Sequence, residues 1–178
     1  VAHSYRRAMQ KVVYEGMPDF PNPEPLKGLR SKQSLVLPQD ISEKYSIVLG
    51  QENLARLQAI NLSDLPIPHH IPPVIQGGEK QAQKCVQRFI EQRLKRYDED
   101  RNEPSKEGAS WLSPYLHFGN ISPQEIFNEI ATANDWQPDR LSTPNGKMNG
   151  FWNMDSHSEA FLDQLMTWRE IGFNMCFR

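Results

Sequence analysis

The chain has 178 residues, a formal net charge of −2 and 38% hydrophobic residues. That length suits one domain, or one domain with an irregular arm. The charge excludes a nucleic-acid partner recognised by the surface as a whole, so any such contact must come from a local basic patch.

Residues 2–14 open the chain with helix-spaced Tyr5, Met9 and Val12 or Val13 and read as a surface helix. Most of the 14 prolines fall before Glu79. Residues 16–48 carry five of them and no sustained period, so an ordered arm or linker is expected. A weak helix is expected over 51–59. Residues 61–78 are irregular, but Leu65, Ile67, Ile71, Val74 and Ile75 predict that this segment packs on something.

The strongest helical pattern is 79–100. Ala82, Val86, Phe89, Ile90, Leu94 and Tyr97 form one apolar stripe, with Lys80, Lys84, Arg88 and Lys95 on other faces. A loop covers 101–109. Ser113-Pro114 predicts a helix start with Ser113 as cap, and Gly119 can close that short helix. Ser122-Pro123-Gln124-Glu125 reads as a full capping box for a helix ending near Ala133-Asn134. A second loop, 135–156, holds Trp136 and Trp152. A last helix spans 157–178, with Phe161, Leu165, Trp168 and Gly172 on one face and Leu162, Met166, Arg169 and Phe173 on the next. No segment shows strand alternation. The expected fold class is all-α with long irregular connections, divided into an entry helix and arm (1–78) and a helical domain (79–178).

Cys85 and Cys176 form no CxxC and no zinc-spaced set. Both sit where cysteine serves as a small buried hydrophobe, which predicts a reducing, intracellular setting. No apolar run reaches the length of about 18 residues that a membrane helix needs, so a soluble protein is expected. His69-His70 lack a third metal ligand. The chain starts Val1-Ala2-His3 and stops at Cys176-Phe177-Arg178 inside a helical pattern. These ends predict a piece of a longer protein.

Ser110-Trp111-Leu112-Ser113 precedes a helix start, and hydroxyls beside free backbone N–H groups make an anion site. The run Ser110 to Ser122, Ser-Trp-Leu-Ser-Pro-Tyr-Leu-His-Phe-Gly-Asn-Ile-Ser, resembles the FAD-cradling signature of the photolyase/cryptochrome family. Tyr97-Asp98-Glu99-Asp100-Arg101-Asn102 is similar to the family's Tyr-x-x-x-Arg-Asn/Asp stretch, at a matching interval. Phe161 to Cys176 resembles the family's helix built on Trp168-Arg169-Glu170, and its ending leans toward the class II version.

The resemblance implies a helical flavin domain and a deoxyribodipyrimidine photolyase, a carbon–carbon lyase that uses light and FAD to repair cyclobutane pyrimidine dimers in DNA as a monomer. It implies that Tyr97, Ser110, Leu112, Ser113 and the Trp111 backbone hold the FAD phosphates. Gln164 and Arg169 would line the flavin, Arg101 and Arg169 would meet DNA, and Trp168 would pack against the flipped dimer. Gln164 and Trp168 are the candidate catalytic pair. A flipped lesion needs a flat apolar wall with cations for its backbone.

Two positions depart from the pattern. Ala109 replaces the signature's Thr. Gln164 stands four residues before Trp168, where many members place a Glu three before; Gln can hydrogen-bond a thymine edge but cannot ionise. Both departures leave open a cryptochrome-like photoreceptor or a DNA-binding relative without repair. The resemblance implies that the family's α/β antenna domain and later pocket-forming helices would lie outside this chain, so the chain alone is expected to hold little flavin and to be inactive. Without the resemblance, Trp168 reads as a core residue, His117 as a packed histidine, and Arg169-Glu170 as surface charges that do not face each other. Trp136 and Trp152 then read as loop anchors, ahead of an electron relay.

Overall fold

The computed structural model describes residues 2–16, 27–29, 38, 39, 63, 66, 68 and 74–177. The chain divides into two compact units: Val1–Pro21 with Ile75–Arg178, and Asn22–Val74. The expected arm, the weak helix over 51–59 and His69-His70 lie almost wholly outside the described residues. Of the apolar residues expected to pack before Glu79, Val74 and Ile75 are exposed; the others are outside the described set.

Within the first unit the described residues are helical, with no strand. Helix α1 is Ala2–Glu15. It buries Gln10 and Val13 and is pinned by polar contacts. Gln10 accepts hydrogen bonds from the Asn145 and Gly146 amides (3.1 and 2.7 Å) and donates to the Lys147 carbonyl (2.8 Å).

The predicted helix over 79–100 is broken. Helix α2 runs Glu79–Gln92, a 3₁₀ turn follows at Leu94–Arg96, and α3 is Tyr97–Asp100. On a continuous helix, Phe89 and Leu94 would lie about 140° apart. The break at Arg93 (φ −126°, ψ −29°) turns the chain, so Phe89, Leu94 and Tyr97 are all buried while Ile90 is only partly covered.

Helix α4, Ser113–His117, ends at Phe118, with Gly119 beyond it at φ +66°. That left-handed residue is the C-terminal stop expected of glycine. Helix α5, Pro123–Ala133, is capped by Ser122, whose Oγ accepts from the Glu125 amide (3.0 Å). The box is one-sided. The Glu125 carboxylate turns to α2 and accepts from Gln83 (3.1 Å).

The 135–156 loop is anchored by aromatic residues. Trp136 and Trp152 are buried with ring centroids 5.8 Å apart, and the Trp136 indole donates to the Trp152 carbonyl (2.5 Å). Helix α6, Ser156–Asp163, starts at Asp155, whose carboxylate accepts from the His157 and Ser158 amides (both 3.0 Å). Buried Glu159 accepts from the Gly150 and Met154 amides and ties the loop to α6.

The last helix is not uniform either. A π turn at Gln164–Trp168 joins α6 to α7, Arg169–Phe177. Phe161, Leu162 and Leu165 are core residues. Beyond Thr167 the run emerges: Trp168, Phe173, Met175 and Phe177 are exposed.

Candidate functional site

Helices α3 and α6 and the π turn bring four of the expected site residues together. The Tyr97 ring packs edge-on against Phe89 and Phe161 (centroids 5.6 and 5.2 Å). Burial pushes its phenol above the ordinary value, and neighbouring Arg101 pulls the other way. The Arg101 guanidinium lies 5.8 Å from the Tyr97 ring centre and 3.6 Å from the Asp98 carboxylate.

In the amide orientation that satisfies its neighbours, the Gln164 oxygen accepts from Arg101 Nη1 (2.8 Å) and from the Trp168 indole Nε1 (3.2 Å). Trp168 is 46% exposed, so it offers a ring face rather than filling the core. The Arg101 Nε is buried without a hydrogen-bond partner. The guanidinium is held by Tyr97, Asp98 and Gln164, with its Nε enclosed and unsatisfied.

Gln164 and Trp168 stand four residues apart within the π turn, and the Gln164 oxygen lies within reach of the indole. Such turns recur at functional sites.

The Ser110–Ser113 turn is a separate element from this cluster. Among the described residues, no hydrogen bond, ion pair or ring contact joins the two. Trp111 takes φ +62°, one of three positive-φ residues other than glycine among those described. Such a backbone costs on the order of 1 kcal/mol or more, and is kept where surroundings enforce it. Those surroundings are visible. Ser110 Oγ accepts from the Leu112 amide (3.3 Å), Leu112 is buried, and the Cys85 thiol on α2 donates to the Ser110 and Trp111 carbonyls (3.5 and 3.6 Å). Burial raises the Cys85 thiol, opposed by Arg93 and Arg88.

Ser113 does not cap α4 as expected. It is the first helical residue, preceded by Leu112, and its exposed hydroxyl makes no hydrogen bond among the described residues. Leu112 can contribute only backbone. A free hydroxyl beside a constrained turn suits a phosphate group, and the thiol underneath fixes that turn.

Arg169 forms a third locus. It pairs with Glu170 (2.8 Å) and sits 4.8 Å from the Phe173 ring centre, so these sequence neighbours do interact. His117 is exposed and stacks edge-on with Phe118 (4.8 Å); it is not packed in a core.

Four contributors were not legible in the sequence. Cys85 read as a plain hydrophobe. Gly108 is buried against the Asp100–Arg101 backbone, where a Cβ would lie 2.8 Å from the Arg101 nitrogen. Arg6 and Asp163 form a buried pair (2.6 Å) beside Trp168. An aspartate one position before Gln164 on the same helix was the available signal for the last of these. Nothing marked Arg6.

The described residues thus form a helical scaffold that carries an exposed tryptophan held by polar side chains and, separately, a constrained turn at 110–113. No family model matches the chain. Curated relatives do. Deoxyribodipyrimidine photo-lyase of Oryza sativa subsp. japonica is 36% identical over 90 residues, 50% of this chain and 14% of that protein. The namesake from Potorous tridactylus is 30% identical over 100 residues, 56% of this chain and 16% of that protein. One from Thermus thermophilus is 31% identical over 104 residues, 50% of this chain and 24% of that protein. The chain thus spans between about a seventh and a quarter of the length of these relatives. Over about half its length the chain is similar to proteins named deoxyribodipyrimidine photo-lyase, which supports the photolyase/cryptochrome family. Among the described residues, no helix is long and apolar enough to cross a membrane, and no cluster of His, Cys, Asp and Glu could hold a metal ion.

Proposed function

We propose that the full-length protein to which this chain belongs binds FAD and, with light, repairs cyclobutane pyrimidine dimers in DNA. The observation that carries this reading is the Trp168 ring: half exposed, tethered through its N–H, and joined through Gln164 to Arg101. Relatives named deoxyribodipyrimidine photo-lyase lend it weight.

In this reading Ser110, Ser113 and the Trp111–Leu112 backbone, with Tyr97, hold the cofactor's phosphates. Trp168 stacks on the extruded pyrimidines, and Arg101 and Arg169 neutralise DNA phosphates. Gln164 hydrogen-bonds a base edge. The flavin, when bound and reduced, supplies the electron that opens the dimer under light; the residues position and exclude water.

The test is a flavin absorbance spectrum of the intact protein with an assay of thymine-dimer repair under blue light. We expect stoichiometric flavin and light-dependent repair. Trp168→Ala should keep the flavin and lose ~2 kcal/mol of dimer affinity, about thirtyfold, from forfeited stacking area. A protein without flavin absorbance, or with repair in the dark, refutes the reading.

Gln164 favours a second reading. It holds no negative charge near the lesion and cannot donate a carboxylic proton. A flavoprotein that binds dimers without splitting them, as a photoreceptor or DNA-binding relative would, decides for that alternative.

A further inference from the structure

The indole N–H of Trp168 has two acceptors, and an arginine holds each. Gln164 accepts on one side and is braced by Arg101 (2.8 Å). On the other side the acceptor is Asp163 Oδ2 (3.2 Å). Asp163 belongs to the end of α6, and its side chain is only 4% exposed. Arg6 of α1 grips it with a fork: Nε donates to Oδ1 (2.6 Å) and Nη2 to Oδ2 (2.9 Å). Arg6 is itself fixed, since Nη1 donates to the Gly146 carbonyl (3.1 Å).

We propose that Asp163 and Arg6 are positioning residues for Trp168, a role that rests on reading Trp168 as the wall against a flipped pyrimidine dimer. A half-exposed tryptophan at the last buried turn of a helix has little packing to fix its side-chain torsions. A bidentate arginine–carboxylate pair is rigid and directional. It fixes the plane of the carboxylate, and that plane sets where the indole N–H must point. The brace reaches 157 positions along the sequence, from α1 to the end of α6. A stacking wall is useful only when its orientation exists before the ligand arrives.

The unaltered chain provides the first test. Trp111 and Trp168 are both about half exposed (53% and 46%), but of these two only Trp168 has acceptors for its indole N–H among the described residues. Hydrogen exchange followed by ¹⁵N–¹H spectroscopy should show the Trp168 indole exchanging about tenfold or more slowly than that of Trp111. Equal rates overturn the proposal without any variant having to fold.

Variants extend it. In Asp163→Asn and Arg6→Gln the Trp168 indole resonance should shift and its exchange approach that of Trp111. The buried Trp136 and Trp152 resonances should stay in place, marking an intact fold. Arg6→Lys, which keeps the charge and loses the fork, should fall between. The last arm uses the intact flavin-loaded protein and an oligonucleotide with a single thymine dimer. Asp163→Asn should weaken dimer binding roughly three- to tenfold and leave undamaged DNA unaffected. If Trp168→Ala does not weaken dimer binding, the reading of Trp168 falls and takes this proposal with it. If Trp168→Ala weakens binding but Asp163→Asn does not, only the positioning role falls.

Discussion

Gly108 offers a direct test of how tightly the Arg101 backbone is held. A methyl group there would lie 2.5 Å from the Asp100 carbonyl oxygen and 2.8 Å from the Arg101 nitrogen. Ordinary contacts of this kind are no closer than about 3.4 Å, so α3 or the loop must move by several tenths of an ångström. Neither neighbour is the tip of a flexible side chain. Overpacking of this sort costs about 1–3 kcal/mol, against a gain of about 0.4–1 kcal/mol from a stiffer unfolded chain. The net effect of Gly108→Ala is a loss of about 1–2 kcal/mol. For a chain of this size that lowers Tm by roughly 2–8 °C. Gly172→Ala is the internal control. No atom lies within 4 Å of its added methyl, and Ala in an exposed helix is favoured over Gly by about 0.5–1 kcal/mol. Thermal melts followed by helical circular dichroism should therefore move in opposite directions. A Gly108→Ala protein that melts at or above the parent temperature refutes the close approach.

Other perturbations have signs of their own. In urea melts, removing either partner of the Arg6–Asp163 pair should cost about 3 kcal/mol. Arg6→Met with Asp163→Leu should cost far less than the sum, and additive losses would mean the pair is not coupled. Ser122→Ala should destabilise by ~1 kcal/mol through its lost cap, whereas Glu125→Ala should cost less than half of that, since its carboxylate reaches α2 and not the cap; equal losses contradict this. Lys106, with help from Arg96, holds the Asp100 carboxyl below its ordinary 3.8. That contribution is complete above 3.8 and vanishes as pH falls through the lowered value, so the Tm gap between Asp100→Asn and its parent should close in acid. Glu159 has the opposite sign: burial raises its carboxyl above 4.5, so its contribution is fullest below 4.5 and fades as pH rises through the raised value. Glu159→Gln should gain on its parent as pH climbs, and a parallel pair of Tm curves would argue against burial as the cause.

What the sequence makes legible here is local. The helix over 123–133 follows from Ser122-Pro123, whose cap chemistry lies within a single turn, and Gly119 marks the end of α4 for the same reason. The stripe from Ala82 to Tyr97 locates the buried face correctly. It does not reveal the break at Arg93, because a stripe says which residues seek the core and not whether one straight helix can satisfy them all. The Trp168 cluster was legible in part, since Tyr97, Arg101, Gln164 and Trp168 sit in two recognisable segments. Their convergence needs tertiary contacts among α2, α3 and α6. The pair of Arg6 with Asp163 left no trace, as a basic residue on an amphipathic helix reads as solvated unless its distant partner is known. The π turn was equally hidden, because its side-chain spacing is close to that of an α-helix.

That π turn also works as a register buffer. Upstream of it, α6 is locked by Asp155, Glu159 and Asp163; downstream, α7 is mostly exposed. One residue can be removed within 164–168 and the helix can close to ordinary winding without disturbing what locks α6. The acceptor would then stand three residues before Trp168, while the caps of α6 and its pair with Arg6 all lie upstream of the change.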